Sequence, residues 1–231
     1  MLRKILNASL HTQPDDTRAA APHAVTRGHT ISWAWGYDAV LAGLTLGQMA
    51  ALRAHTIELA QIRPGEAVLD AGCGTGDLTL ALKRRVGPEG HVYGVDAAPE
   101  MIAAARRRIL RATTDVDLRV AAVESLPFSE AFFDVVVSSL VFHHLPGDAQ
   151  IEAIAEIRRV LKPTGRLLIV DFRRPTTSLG RLALTLTLHG RLRIGVQDLA
   201  APMSAAGFHD VVCGETRWRR LGLVRGSAGK H

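Results

Sequence analysis

The chain has 231 residues, a formal net charge of +6 and a pI near 10, a length that suits one domain with a full core. No apolar run reaches the ~18 to 20 residues of a membrane span, and charged or polar residues recur through Met1–Thr30, so the expected location is cytoplasmic. Two cysteines, Cys73 and Cys213, give neither a metal-ligand spacing nor a disulfide framework, and no metal site is expected.

Met1–Gly28 mixes charged residues with Pro14, Pro22 and an Ala-rich patch, which predicts a segment with little fixed structure. Thr30–Asp38 is the most aromatic stretch, with Trp33, Trp35 and Tyr37, and residues 39–62 have helical spacing that ends before Pro64.

Residues 68–82 organise the remainder of the chain. Ala67, Val68 and Leu69 read as a buried strand, Asp70 ends it, and Gly72, Gly74 and Gly76 fall at alternate positions. Leu78, Leu82 and Val86 then form one helical stripe. Glycine suits such a turn because positive φ costs it little and because a ligand can lie against bare backbone. A dinucleotide site would place pyrophosphate on the helix N-terminus after Gly-x-Gly-x-x-Gly. Here a carboxylate precedes the turn, which repels phosphate and attracts an ammonium group. The next strand, 91–95, ends in Asp96, a position from which a carboxylate accepts hydrogen bonds from ribose hydroxyls. An ammonium, a ribose and no phosphate describe S-adenosylmethionine better than a pyridine dinucleotide.

Alternation continues with a helix over 99–111, a strand over 117–121, a strand over 133–138, a helix over 148–161 and a strand over 166–171. Strands alternating with helices predict an α/β architecture, a doubly wound, mostly parallel sheet with helices on both faces. The run Arg106–Arg108 lies on a helix whose other stripe is Met101, Ile102, Ala105 and Ile109, a solvated face. Arginine supplies 24 of the 28 cations, spread along the chain with few aromatics beside them, so nucleic acid is not an expected partner. Ser139 and the pair His143–His144 follow the fourth strand. An imidazole at that point is a candidate proton acceptor.

The stretches Val68–Asp77, Val92–Met101, Glu124–Phe128, Phe133–Ser139, His143–Leu145 and Glu156–Arg166 together resemble the class I S-adenosylmethionine-dependent methyltransferases. The nearer likeness is to the branch with the menaquinone and ubiquinone C-methyltransferases. It covers roughly residues 30–172. It implies a seven-stranded Rossmann-like sheet, residues 29–63 as a helical lid, 64–172 as the cofactor-binding core and 173–231 as substrate-side helices and C-terminal strands. It further implies S-adenosylmethionine as cofactor, held by Tyr37, Asp70, Gly72, Gly74, Thr75, Gly76, Asp96, Ala97, Met101, Val123, Glu124 and Ser139, with His143 or His144 as catalytic base. Tyr37 and Asp38 match the family's Tyr-Asp pair, although Trp33, Trp35 and Tyr37 would equally pack a helix onto the core. One departure stands out. The family's Asp-Ala-Glu before Leu-Pro-Phe is Ala122-Val123-Glu124 here, so Ala122 offers no acceptor to the adenine amino group, and backbone groups of Val123 and Glu124, or the Glu124 side chain, must take its place.

Beyond Asp171, residues 179–194 are apolar on more than one face, which predicts core packing, an acceptor pocket wall or a homodimer contact. Asp198–Phe208 reads as a helix closed by Gly207, Val211–Cys213 and Leu221–Val224 as antiparallel edge strands, and Gly226–His231 as a loose tail. The expected activity is methyl transfer to oxygen, carbon or nitrogen of a small apolar or aromatic acceptor. The alternative is a cofactor-binding scaffold that transfers nothing, pericyclase-like or regulatory. Nucleic-acid methylation lacks its Asn/Asp-Pro-Pro-Tyr type motif, Ser138-Ser139-Leu140-Val141 standing there, and arsenic methylation is disfavoured because only two cysteines are available to carry the metalloid.

Overall fold

The computed structural model describes residues 26–28, 48–174 and 195–229. The readings placed on Tyr37, Trp33 and Trp35, on most of the lid, and on residues 179–194 therefore lie outside the described residues.

The described chain runs α1 (Met49–Leu59), β1 (Ala67–Ala71), α2 (Asp77–Val86), β2 (His91–Asp96), α3 (Pro99–Arg111), β3 (Asp117–Val120), β4 (Phe133–Ser139), α4 (Gly147–Val160) and β5 (Leu161–Phe172). It ends with α5 (Ala200–Ala205), β6 (His209–Glu215) and β7 (Leu221–Ser227). The seven strands form one sheet in the order β3-β2-β1-β4-β5-β7-β6. β1 through β5 are parallel, and β7 is antiparallel to both β5 and β6. This is the expected doubly wound sheet. The chain winds outward from β1 to β3 and then crosses to β4, so the switch of direction falls between β1 and β4, where such sheets bind ligands at their carboxyl ends.

Burial explains the strand sequences. Val68, Leu69 and Ala71 are each 0 % exposed, and a strand covered on both faces reads as a continuous apolar run without polar alternation. One face of the sheet takes α1 and α2 through Leu52, Leu78, Leu82 and Val86 packed on Val68, Val135 and Val137. The other takes α4 and α5 through Ile154, Ile157 and Met203 on Leu69, Val136 and Ile169. Each fully buried Val, Leu or Ile contributes about 1.5–3 kcal/mol. α3 buries the predicted stripe of Ile102, Ala105 and Ile109 against Leu118 and Cys73.

Several boundaries differ from the sequence reading. Leu161 belongs to β5, not to the helix, because its backbone is extended and it pairs with Phe133 ahead of a shift in register; Pro163 disfavours helix just there. β7 is an inner strand rather than an edge, since it lies between β5 and β6. It also absorbs the first part of the supposed tail: Arg166–Phe172 pair with residues 221–227, and the Ala228 N–H donates to Gly165 O at 2.8 Å. Thr26–Gly28, read as part of a segment with little fixed structure, lie against the carboxyl ends of the strands.

Candidate functional site

Between β1 and α2 the backbone turns through Gly72, Gly74 and Gly76, with φ of +83°, +52° and +82°. The glycines serve different ends. A Cβ at Gly72 would lie 2.3 Å from Val141 Cγ2, so that position is fixed by close approach of the loop after β4. A Cβ at Gly74 would meet nothing within 4 Å, because that stretch of backbone borders an open cleft. Bare backbone beside empty space is the cradle that the sequence pattern implies. Gly76 does not line the cleft; it precedes α2 and allows the loop to sit against Ala105 of α3.

The cleft gathers nearly all the predicted residues. Asp70, Gly72, Gly74 and Thr75 line one wall, Asp96, Ala97 and Met101 the next, and Val123, Glu124, Ser139 and His144 the remainder. Asp70, at the end of β1, is 1 % exposed and accepts a 2.6 Å hydrogen bond from Thr79 Oγ1. Burial raises its pKa to about 7, with the charge of Asp96 adding to the rise and the Thr79 bond opposing it. Asp96 accepts from the Gly74 N–H and the Ala98 N–H, one at each oxygen, both at 2.9 Å. Burial raises its pKa as well, against those two bonds. A carboxylate has about four lone-pair sites, so each Asp96 oxygen keeps capacity for a ribose hydroxyl. Cys73 lies in the same turn, and burial holds its thiol pKa well above the ordinary value, which suits a packing role and not a nucleophile.

Glu124 turns inward. Its Oε1 accepts from Thr26 Oγ1 at 2.6 Å and from the Arg27 N–H at 3.0 Å, while Oε2 is buried and has no hydrogen-bond partner among the described residues. The strap Thr26–Gly28 is pinned in turn by Arg27, which pairs with Asp148 at 2.8 Å and with Glu152. A buried carboxylate oxygen without a donor is costly. At the cleft wall it is an acceptor awaiting an N–H or O–H, the function that Ala122 cannot serve.

The two histidines part company. His144 lines the cleft; His143 does not. His143 Nδ1 lies 2.7 Å from Asp171 Oδ1 and its backbone N–H donates to Oδ2 at 3.2 Å. Asp171 is 2 % exposed, and although burial pushes its pKa up, the charge and hydrogen bonds of His143 more than offset this and leave it lowered. The His143 ring sits edge-on to Phe172 and 3.9 Å, centroid to centroid, from the His144 ring. Asp171 thus fixes His143, and His143 packs against the imidazole that faces the cleft.

Two participants escaped the sequence reading. Asp171 ends β5 as Asp70 ends β1 and Asp96 ends β2, so the rule that acids at parallel-strand ends face a site would have found it. Arg53, on α1, lines the cleft beside Met49; nothing distinguishes it from the chain's other arginines until α1 is placed.

The family described as "Methyltransferase domain" matches residues 68–165. The ubiquinone/menaquinone biosynthesis C-methyltransferase UbiE of Bordetella avium is 38% identical over 138 residues, covering 60% of this chain and 53% of that protein. The Burkholderia mallei protein of the same name is 36% identical over 141 residues, 61% of this chain and 57% of its own length. The chain therefore spans little more than half the length of these relatives. In three dimensions it is similar to a SAM-dependent methyltransferase from Aquifex aeolicus, with a TM-score of 0.61 at 20% identity over 75% of this chain and 88% of that one. It is similar also to phosphoethanolamine N-methyltransferase 2 of Haemonchus contortus, a structure containing S-adenosyl-L-methionine, with a TM-score of 0.64 at 16% identity over 78% of this chain and 53% of that one.

Proposed function

We infer that this chain, which has a class I S-adenosylmethionine-dependent methyltransferase domain, transfers the methyl group of that cofactor to a small apolar or aromatic acceptor. The observation that carries the reading is the arrangement of acids around one glycine turn: Asp70, Asp96 and Glu124 end or follow three adjacent strands and face one cleft, next to backbone left open at Gly74.

The residues present fit the cofactor. Asp70 takes the ammonium, Asp96 the ribose hydroxyls and Glu124 Oε2 the adenine amino group, which satisfies an oxygen that is otherwise a buried orphan. When bound, the sulfonium supplies an electrophilic methyl. The protein's task is then alignment and exclusion of water. Leu140, Val141 and Leu145 form an apolar wall beside His144, which suits an acceptor with an apolar or aromatic body. His144 holds the proton of an acceptor that ionises on methylation, and His143, tied to Asp171, keeps that ring in place. The names of the two relatives favour carbon as the atom methylated. Among the described residues no group of three or more His, Cys, Asp or Glu side chains gathers as a metal ion would need.

Calorimetric titration with S-adenosylhomocysteine, followed by a screen of phenols and quinols for its production from the methylated cofactor, tests the reading. Micromolar binding and turnover on at least one aromatic acceptor are expected. Binding of a pyridine dinucleotide in place of the sulfur nucleoside would reject it.

A further inference from the structure

α4 turns one stripe to the sheet, Ala149, Ala153, Ile154, Ile157 and Val160, each 0 % exposed, and Gln150, 5 % exposed, stands among them. An amide in an apolar stripe is costly unless its polar atoms find partners. Gln150 Nε2 donates to Phe142 O at 2.9 Å and to Leu145 O at 3.2 Å. Both of these neighbours are acceptors, so the amide nitrogen and not the oxygen faces them. The two carbonyls flank His143 and His144 on the short turn between β4 and α4.

That turn is fastened from two sides. Asp171 of β5 holds it through the ring and the backbone N–H of His143. Gln150 holds it through the carbonyls before and after the histidine pair, in the same segment that gives Val141, His144 and Leu145 to the cleft wall. The turn's own backbone bonds, His144 N–H to Val141 O at 2.9 Å and Leu145 N–H to Phe142 O at 3.0 Å, close it on itself but do not tie it to a neighbouring element. Gln150 does not line the cleft, so it acts only through the turn.

We propose that Gln150 is a positioning residue for the acceptor side of the cleft: its amide ties the turn to α4 and so sets where the His144 imidazole stands. This rests on the methyltransferase reading and deepens it. Asp171 holds one histidine away from the cleft; Gln150 fixes how far the other reaches into it. A misplacement on the order of 1 Å at a reacting group costs up to about 100-fold in rate, whereas a nucleoside seated on Asp70, Asp96 and Glu124 would not register it.

Turnover, calorimetry and NMR of the imidazole rings, all on the full chain, test it. Gln150→Leu fills similar space and removes both hydrogen bonds; Gln150→Met, more adaptable in a packed interior, carries the same test if the leucine variant does not fold. On an acceptor found by the phenol and quinol screen, kcat should fall ~10- to 100-fold, while the S-adenosylhomocysteine Kd stays within about twofold. The His144 ring signals should broaden or double, and those of His143, tied to Asp171, should stay single. Loss of cofactor affinity in step with kcat would overturn the assignment, as would His144 signals identical to those of the wild type. Wild-type protein without turnover on any phenol or quinol would sink the acceptor reading instead, and the ring signals alone would then uphold or reject the placing of His144 by Gln150.

Discussion

The half of the cleft built on β1 to β3 and the half built on β4 and β5 solve their tasks differently. In the first, backbone does much of the work. Gly74 leaves its main chain bare, and Asp96 is locked by two backbone N–H groups 22 and 2 residues away. In the second, side chains separated by 28 residues, His143 and Asp171, hold each other. Local geometry tolerates little substitution but announces itself in sequence. Paired side chains depend on sheet register, here Ser139 opposite Val170, and become visible only when β4 and β5 lie side by side. Specific changes should separate the two kinds of construction.

The largest effect is expected at the glycine turn. Gly74→Ala keeps an open environment and carries only the strain of positive φ, about 1 kcal/mol or a little more, but its methyl would project into the cleft proposed for the cofactor. Thermal unfolding should move by a few degrees, while cofactor affinity falls ~100-fold or more as a steric clash replaces backbone contact. Gly72→Ala should do the reverse in emphasis. Its Cβ would press into Val141 at 2.3 Å, so strain and overpacking together cost about 3 kcal/mol of stability, seen as a lower urea midpoint. If Gly74→Ala binds the cofactor as wild type does, the cleft is not the cofactor's.

The second effect concerns the side-chain half. Asp171→Asn leaves His143 beside a neutral amide. Breaking such a buried pair costs about 3–5 kcal/mol when no hydrogen bond survives, and about half that where the amide keeps one. Because the folded-state pKa of Asp171 is lowered below 3.8, its contribution is fully present above that value and is lost as pH falls through the lowered one. The stability gap between wild type and variant should therefore persist down to about pH 4 and close in stronger acid. A concurrent fall in kcat with unchanged cofactor Kd would place the His143–Asp171 pair on the acceptor side of the cleft; a fall in cofactor affinity instead would contradict the division drawn between the halves.

This division also explains what the chain disclosed before its structure was known. Asp70, Asp96 and the three glycines are legible because each function is set within one strand–turn–helix unit, where the order of residues alone fixes their relative positions. Glu124 was legible only as one of several substitutes for Ala122, since its direction depends on Thr26 and Arg27, 98 and 97 residues earlier. Which of His143 and His144 faces the cleft could not be read at all. The two rings lie against each other in a short 3-10 turn, 3.9 Å between centroids, and which of them is turned from the cleft is decided by Asp171, which holds His143. Arg53 was invisible because helical spacing gives a face but no neighbour. The end of β7 was misread for a related reason: Gly226 and Ser227 look like tail residues, yet pairing with β5 across the whole of residues 221–227 holds them.

A third effect is smaller per unit and runs through the backbone-built half. Asp70 has its folded-state pKa raised from 3.8 to about 7, so without ligand the folded chain holds a proton that the unfolded chain releases between those values. Stability of the free protein should then fall as pH rises through that window, by up to ~1.4 kcal/mol per unit. Binding has the opposite sign. An ammonium partner needs Asp70 ionised, so S-adenosylhomocysteine affinity should rise up to ~10-fold per unit as pH climbs toward 7 and level off above it. Calorimetry in buffers of different ionisation enthalpy should register proton release near pH 6. An affinity flat from pH 5.5 to 8, with no proton released, would show that Asp70 is structural and that the ammonium sits elsewhere.

The smallest effect tests whether the strap belongs to the cofactor half at all. Thr26→Val removes a hydroxyl that donates 2.6 Å to Glu124 Oε1 and also accepts from the Gly28 N–H at 3.0 Å. Shape is nearly preserved, and the Arg27 N–H still holds the carboxylate; of the two hydrogen bonds lost, the one to Glu124, worth ~1 kcal/mol, is the one that bears on the cleft. If Glu124 presents Oε2 to the adenine amino group, that looseness should appear as a roughly 3- to 5-fold weaker Kd for S-adenosylhomocysteine, and substitution of the amino group in the ligand, as in the inosine analogue, should erase the difference between wild type and variant. The same loss for both ligands would mean that Thr26 only closes the protein. The persistence of the difference with adenine alone would join a residue near the start of the described chain to a base-recognition site assembled from the loop after β3.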